Sequence, residues 1–182
     1  MTDAMTACRL ITPDDAPALA ELVRVNREFL APWEPARGEE YFTEAGQRVS
    51  IGSSLAEHER GRGLPCVMTD RDGAVVGRIN LNTIVRGASQ SASLGYWLAQ
   101  AAGGRGIATA AVREIVRVAF GELGLHRIQA DTLVHNGASQ RVLERNGFVR
   151  IGLAPRYLKI AGRWQDCILH QLLSDARDHM GT

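Results

Sequence analysis

The sequence has no long hydrophobic run: among its 182 residues, no segment approaches the roughly 18 consecutive apolar residues that cross a bilayer. Residues 1–5 also lack the basic and then apolar stretch of a secretory signal. We therefore expect a cytoplasmic protein with no membrane partner. The length suits one domain and no repeat or linker divides it, so we interpret 1–182 as a single domain, with a core of about 7–173 and a polar tail at 174–182.

Cysteine is scarce, and its placement does not indicate a crosslink. Cys8, Cys66 and Cys167 are odd in number, far apart and outside any C-x-x-C motif, which argues against a disulfide framework and against a zinc site. We expect each of them to be a small buried apolar residue. No H-x-x-x-H motif and no cluster of acidic residues predicts a metal site of another kind.

Net charge is nearly absent, because 21 Lys and Arg residues stand against 20 Asp and Glu residues and leave +1. Such a chain has no overall field to attract nucleic acid or anionic lipid. Any polyanion would have to be held at a local site. We therefore expect no direct nucleic-acid partner, and we look for a local anion-binding motif.

Hydropathy patterning predicts a mixed α/β sheet with helices on both faces, in the order β-α-α-β-β-β-α-β-α-β-β. The first helix starts after Thr12, and its pattern breaks at Pro32-Trp33-Glu34-Pro35, where two prolines indicate a stiff loop. The predicted strands are 7–11, 64–69, 74–85, 91–98, 127–133, 148–160 and 164–173, and the later helices are about 41–60, 104–124 and 136–145.

A glycine-rich turn follows the predicted strand 91–98 and opens a helix. Gly103-Gly104-Arg105-Gly106 would direct free backbone N–H groups and the positive end of the helix at one point, which suits a phosphate or pyrophosphate. Arg105 adds a positive charge there. The alternative is a tight strand-to-helix connection whose glycines serve only backbone geometry.

Two common phosphate-binding motifs do not fit this turn. A Walker loop needs Lys-Ser or Lys-Thr after its glycines, and none follows here. A dinucleotide fingerprint needs Gly or Ala where Thr109 stands. The remaining pattern is G-x-G-x-A, from Gly104 to Ala108.

Longer segments extend this pattern to a resemblance with a known family. Segments 106–112, 119–120, 123–128 and 136–148, together with Pro32-Trp33-Glu34-Pro35, resemble the ribosomal-protein (alanine/serine) N-terminal acetyltransferase branch of the GNAT superfamily of N-acetyltransferases. The likeness spans nearly the whole chain in register. One position departs from it: Gly103 stands where the family usually has Gln or Arg, so a side-chain contact is missing there while the backbone N–H groups remain.

The resemblance implies a GNAT-like fold, a mostly antiparallel sheet with a central splayed parallel pair formed by 91–98 and 127–133. It also implies acetyl-CoA as co-substrate, with no metal. Trp97, Leu98 and Asn136 would hold the pantetheine arm. The backbone N–H groups that would hold the pyrophosphate belong to Gly104, Arg105, Gly106, Ile107, Ala108 and Thr109. A backbone N–H near Tyr96 to Leu98 would stabilise the oxyanion that forms when an amine attacks the thioester directly.

Two proton transfers accompany this reaction, because an ammonium cannot attack and a thiolate leaves more easily when it is protonated. The resemblance places Ser139 near the CoA sulfur as the acid; the alternative is that its hydroxyl caps the first turn of its helix, and Asn136 can likewise be an ordinary N-cap. The base stays open among Glu34, Tyr96, Glu144 and a chain of water molecules.

The stiff loop also has two interpretations. Trp33 could form a wall of a peptide entrance while Glu34 attracts a terminal ammonium group. Alternatively, Trp33 packs the loop onto the core.

The resemblance therefore implies an acetyl-CoA-dependent N-acetyltransferase that acts on the α-amine of a protein or peptide, of the ribosomal-protein type. The alternatives are a small-molecule amine as acceptor, and a non-catalytic acyl-CoA sensor or interaction module. A serine hydrolase built from Ser139, His126 and Asp131 is excluded, because the sequence from Gly137 to Arg141 is not G-x-S-x-G.

Overall fold

A computed structural model describes residues 8–174 of the chain. Its centre is a seven-stranded sheet in the order β1-β2-β3-β4-β5-β7-β6. Every neighbouring pair is antiparallel except β4 and β5, which are parallel. This confirms the predicted mixed sheet. The strands are β1 Cys8–Leu10, β2 Leu64–Thr69, β3 Val75–Val85, β4 Ser91–Leu98, β5 Arg127–Leu133, β6 Val149–Ile160 and β7 Arg163–Leu173.

The helices are α1 Ala16–Val25, α2 Arg27–Leu30, α3 Glu44–Glu59, α4 Ile107–Arg117 and α5 Gly137–Arg145. The helix predicted from residue 41 begins three residues later, because Thr43 has extended backbone and its hydroxyl accepts a hydrogen bond from the Gly46 N–H as an N-cap. The helix predicted to reach Gly124 is α-helical only to Arg117 and continues as a π turn over Val118–Glu122. Ala7 and 175–182, which the predicted core boundary and polar tail include, lie outside the described residues.

The helices cover both faces of the sheet. Strand alternation sends Ile79, Leu81 and Ile128 to the face that α4 covers, where they pack with Val112 and Ile115. On the opposite face, Val67 packs with residues of α1 and α3, among them Leu19 and Ile51. Two apolar cores therefore hold the sheet between them.

Three further features concern the cysteines, the possible metal ligands and the apolar helices. The three cysteines are free and buried, as predicted. Within residues 8–174, no group of three or more His, Cys, Asp or Glu side chains is placed to hold a metal ion. The same range contains no helix that is long and apolar enough to cross a membrane.

The parallel pair separates partway along its length. β4 and β5 pair only from Ser91 with Arg127 to Leu94 with Ala130. Beyond that point β4 stays paired with β3, and β5 stays paired with β7. The last residues of the two strands therefore diverge and open a gap in the middle of the sheet, which positions the site described next.

Candidate active site

Two hydroxyl groups meet at this gap. Tyr96, on β4, and Ser139, in the first turn of α5, have their hydroxyl oxygens 2.7 Å apart, and the Tyr96 O–H also lies 3.2 Å from the Ser139 carbonyl oxygen that can accept from it. Burial raises the pKa of Tyr96 to about 12, against the opposing effect of its hydrogen bond with Ser139. Tyr96 therefore keeps its proton at neutral pH, and the pair can pass a proton through one hydrogen bond.

Asn136 fixes the position of Ser139. Its Oδ1 accepts a hydrogen bond from the Ser139 backbone N–H at 3.1 Å, so Asn136 is the N-cap of α5. The Ser139 hydroxyl does not cap this turn; it points to Tyr96. The capping interpretation thus holds for Asn136, whose side chain also borders the gap, and not for Ser139.

A cavity of about 340 Å³ lies on the helical side of the gap, and we call it the glycine-turn cavity. The glycine turn and the start of α4 border it at one end, and Tyr96 and Ser139 border it at the other. Its remaining lining is mainly apolar and includes Phe29 and Leu30 of α2, Trp97, Leu98 and Val142. Helix α2 was not predicted, because four residues are too few to show a helical period.

The glycine turn has the backbone that its sequence indicates. Gly104 and Gly106 have φ angles of +74° and +80°, in the left-handed region that favours glycine. Helix α4 starts directly after Gly106, so its first N–H groups have no intrahelical acceptor and point out of the helix end. Arg105 is exposed beside them. Free N–H groups and a positive side chain at one helix end suit an anion.

The predicted donor-site residues divide into two groups. Trp97, Leu98, Gly104, Ala108, Asn136 and Ser139 line the glycine-turn cavity. Arg105, Gly106, Ile107 and Thr109 stand at the adjoining helix start, outside the lining of that cavity. The Thr109 carbonyl accepts a hydrogen bond from Asn146 Nδ2 at 3.2 Å, which ties α4 to the end of α5.

A second cavity, of about 330 Å³, lies across the gap, and we call it the polar cavity. Both cavities share Trp33, Tyr96, Trp97, Asn136 and Ser139 in their linings. The two hydroxyl groups therefore stand where the cavities meet. The charged or polar side chains of the polar cavity include Glu34, Arg37, Tyr41, Arg78, Asn80 and Asp131.

The Pro32–Pro35 loop forms one wall of the polar cavity. The Glu34 carbonyl accepts a hydrogen bond from the Ala161 N–H at 2.9 Å, which holds the loop to the turn between β6 and β7. Trp33 packs against Leu133, Ile160 and Cys167. Trp33 thus packs the loop onto the core and also lines both cavities.

The Glu34 side chain is suited to proton transfer. Burial raises the pKa of its carboxyl group, while the positive charges of Arg37 and Arg78 act in the opposite direction. A carboxyl group with a raised pKa is a better base when ionised. Glu144, by contrast, is exposed on α5 and lines neither cavity, so the structure does not bring it to the gap.

Sequence reasoning assigned no role at this site to several of its polar side chains, among them Arg78, Asn80 and Asp131. Arg78 and Asn80 come from β3, and Asp131 comes from the diverging end of β5. Burial raises the pKa of Asp131, and its interaction with His170 acts in the opposite direction. The available signal was the pair of polar residues at alternate positions within the otherwise mainly apolar start of strand β3.

Comparisons with known proteins agree with this geometry. Residues 7–149 match the family described as Acetyltransferase (GNAT) domain. The chain is 40% identical over 150 residues to the Probable N-acetyltransferase YjcK of Bacillus subtilis, covering 82% of this chain and 81% of that protein. It is 33% identical over 173 residues to the [Ribosomal protein uS5]-alanine N-acetyltransferase of Escherichia coli, covering 94% of this chain and 89% of that protein.

A solved structure is also similar to this chain in fold and in sequence. Mycobacterium smegmatis RimJ in complex with CoA-disulfide superposes with a TM-score of 0.88 at 34% identity, over 92% of this chain and 81% of that one. The diverging strands, the glycine turn and the meeting of two cavities thus define an acetyl-transferring enzyme. The chain belongs to the GNAT acetyltransferase family.

Proposed function

We propose that this enzyme transfers the acetyl group of acetyl-CoA directly to the α-amine of a protein or peptide N-terminus, with a ribosomal protein as acceptor. The observation that carries the proposal is the Tyr96–Ser139 hydroxyl pair at the meeting point of two cavities, one suited to a phosphate-bearing donor and the other to an amine. Relatives named for acetylating a ribosomal-protein alanine support the choice of acceptor. Such an acceptor also agrees with the expected cytoplasmic location.

The residues of the glycine-turn cavity fit the donor. Acetyl-CoA, when bound, supplies an acetyl group activated as a thioester. The backbone of Trp97 and Leu98, on the diverging end of β4, would bind the pantetheine amides with Asn136. Backbone N–H groups of the glycine turn and of the first turn of α4 would bind the pyrophosphate, helped by the exposed charge of Arg105. These groups are neutral apart from Arg105, which explains how a chain of net charge +1 can hold a charged donor.

The chemistry divides between the two sides of the gap. Ionised Glu34 accepts a proton from the ammonium form of the acceptor, since only the free amine can attack. The amine nitrogen then forms a bond with the acetyl carbon as the carbon–sulfur bond breaks, and a backbone N–H near Tyr96 to Leu98 stabilises the negative charge that develops on oxygen. Ser139, supported by Tyr96, donates the proton that the departing sulfur takes up, and the proton that the nitrogen loses as the amide forms restores the Ser139 hydroxyl.

The test of this function has two stages. Calorimetry with acetyl-CoA measures donor binding, and a thiol-release assay with Ala- and Ser-starting peptides and with small amines measures transfer. We expect binding and turnover with peptides. Turnover with small amines alone would overturn the choice of acceptor, and binding without turnover on any amine would identify a non-catalytic acyl-CoA sensor. Mass spectrometry of a lysate incubated with labelled acetyl-CoA would then identify the acceptor protein.

A further inference from the structure

The polar cavity contains a buried positive charge that lacks a carboxylate partner. Arg78 is only 6% exposed. Its two Nη atoms make long hydrogen bonds to the hydroxyl oxygens of Ser50, at 3.4 Å, and Ser54, at 3.3 Å. Its Nε atom has no hydrogen-bond partner, and no Asp or Glu of residues 8–174 forms an ion pair with it.

This arrangement is costly for the chain by itself. A charge removed from water needs a partner of opposite charge or a full set of hydrogen bonds, and serine hydroxyls supply little of either. The negative charge of Glu34 acts on Arg78 only from a distance, and the nearby positive charge of Arg37 opposes it. A guanidinium group placed in this way is ready to pair with an anion that enters the cavity.

The pairing of β3 with β4 determines the face of the sheet from which Arg78 projects. Arg78 lies opposite Trp97 in the β3–β4 pairing, and its neighbour Ile79 lies opposite Tyr96. Side chains of directly opposed residues project from the same face of a sheet, so Arg78 projects with Trp97, on the face of α1 and α3. Tyr96 projects with Ile79 from the other face, but both Arg78 and Tyr96 line the polar cavity at the gap, so an anion at Arg78 and an amine that reacts near Tyr96 would occupy the same cavity.

A second unpaired group stands two positions along the same strand. Asn80 lies opposite Gly95, lines the polar cavity, and has a buried Oδ1 atom without a hydrogen-bond partner. An amide oxygen accepts hydrogen bonds, so Asn80 can take a peptide N–H where Arg78 takes an anion. The two groups complement different parts of one short peptide segment.

We propose that Arg78 and Asn80 form a specificity subsite that binds a carboxylate carried next to the acceptor amine, as in a peptide whose second residue is Asp or Glu. The inference rests on the proposed function and names the substrate class for it. Glu34 and Asp131 attract the ammonium group of such an acceptor, and Arg78 attracts its carboxylate. The cavity thus matches a substrate with both charges.

The test compares pairs of acceptors that differ in one charge. The first pair is an amidated pentapeptide starting Ser-Glu and its counterpart starting Ser-Gln; the second is the dipeptide Ser-Gly as free acid and as amide. We expect kcat/KM to be about tenfold to a hundredfold higher for Ser-Glu than for Ser-Gln, the range that a hydrogen-bonded charged contact provides. A preference confined to the dipeptide acid would assign the carboxylate to a small acceptor and still support the subsite.

Variants assign the preference to Arg78. Arg78→Gln should reduce the ratio between the two pentapeptides to near one, and Arg78→Lys should restore part of it. Arg48→Gln, which removes an exposed charge on α3, is the matched control and should leave the ratio unchanged. Activity on the Ser-Gln peptide reports whether each variant is folded.

The outcomes separate the two proposals. Equal rates for both members of both pairs in the unaltered enzyme would overturn the subsite and leave the proposed function intact. If no peptide is acetylated although acetyl-CoA binds, both proposals are wrong. A preference that Arg78→Gln does not change, in a variant that still acetylates the Ser-Gln peptide, would also overturn the role of Arg78.

Discussion

The hydroxyl groups of Tyr96 and Ser139 lie 2.7 Å apart and join β4 to α5 across the open end of the parallel pair. Each group comes from a different side of the gap, and both border the two cavities. In the proposed reaction, these two side chains, which position each other, would hold the proton that the leaving sulfur takes up.

Ser139→Ala should lower kcat far more than it weakens acetyl-CoA binding. We expect a loss on the order of a hundredfold, the lower end of the range for general acid catalysis. Tyr96→Phe should act in the same direction, and the double variant should be little worse than the poorer single variant because the two groups share one hydrogen bond. Steady-state kinetics and calorimetry measure the two effects separately.

A second hydroxyl pair provides the control for this experiment. The hydroxyl oxygens of Ser89 and Ser91 lie 2.6 Å apart at the other end of β4, outside both cavities. Ser89→Ala should leave kcat unchanged. A loss in Ser89→Ala equal to that in Ser139→Ala would contradict a catalytic role for Ser139.

Asn136→Ala should weaken both acetyl-CoA binding and the fold. The variant loses the N-cap of α5, which costs about 1 kcal/mol of unfolding free energy. Asn136→Asp keeps a capping oxygen but not the amide donor. Denaturant unfolding should therefore show restored stability in the Asp variant, while calorimetry still shows weak acetyl-CoA binding. If acetyl-CoA binding recovers fully in Asn136→Asp, Asn136 acts only as the N-cap of α5 and does not contact the donor.

The pH dependence of transfer should depend on Glu34. Burial raises the pKa of its carboxyl group, and only the ionised form can accept a proton, so kcat/KM should rise with pH as Glu34 ionises. The acceptor amine titrates as well, near about 7.7 to 8.0, and contributes a rise of its own. Comparing Glu34→Gln with the unaltered enzyme on one peptide isolates the carboxyl contribution.

Glu34→Gln should lower the rate and remove the acidic limb of the profile, leaving only the limb of the amine. Asp131→Asn is the comparison, because Asp131 is the other carboxyl group of the polar cavity whose pKa burial raises. If the acidic limb survives in Glu34→Gln and disappears in Asp131→Asn, the base is Asp131.

Gly106→Ala should weaken acetyl-CoA binding beyond its effect on stability. Gly106 has φ of +80°, and Gly87, in the turn before β4, has φ of +69°. Alanine in this region costs roughly 1 to 2 kcal/mol at either position. Only Gly106 adjoins the N–H groups that would bind the pyrophosphate, so equal loss of binding in Gly87→Ala would contradict that assignment.

The sequence predicted those parts of the fold that depend on local pattern. The bounds of β4 and β5 are as predicted, because each segment alternates polar or small residues with apolar ones and lies next to a turn signal. The glycine turn was predictable for the same reason. Ser139 and Asn136 depended instead on the resemblance, since an N-cap asparagine and a helical serine carry no functional signal by themselves.

The side chains that depend on tertiary structure were not predictable. Arg78 and Asn80 reach the site because of the face they occupy on β3, and Asp131 reaches it because β5 diverges from β4 beyond Ala130. Neither the face nor the point of divergence is encoded in a short motif. The amine side of the site is therefore the part that required the structure.

The hydrogen bond from Ala161 to the Glu34 carbonyl has a consequence for the order in which the enzyme is completed during synthesis. Between Val142 and Ser174, the last described residue, no residue lines the glycine-turn cavity, whereas Leu158 and Ile160 of the last hairpin line the polar cavity. Because a chain is made from its N-terminus, the loop with Glu34 is synthesised well before Ala161, whose N–H donates to the Glu34 carbonyl. The polar cavity can therefore be completed only after the last hairpin has been synthesised.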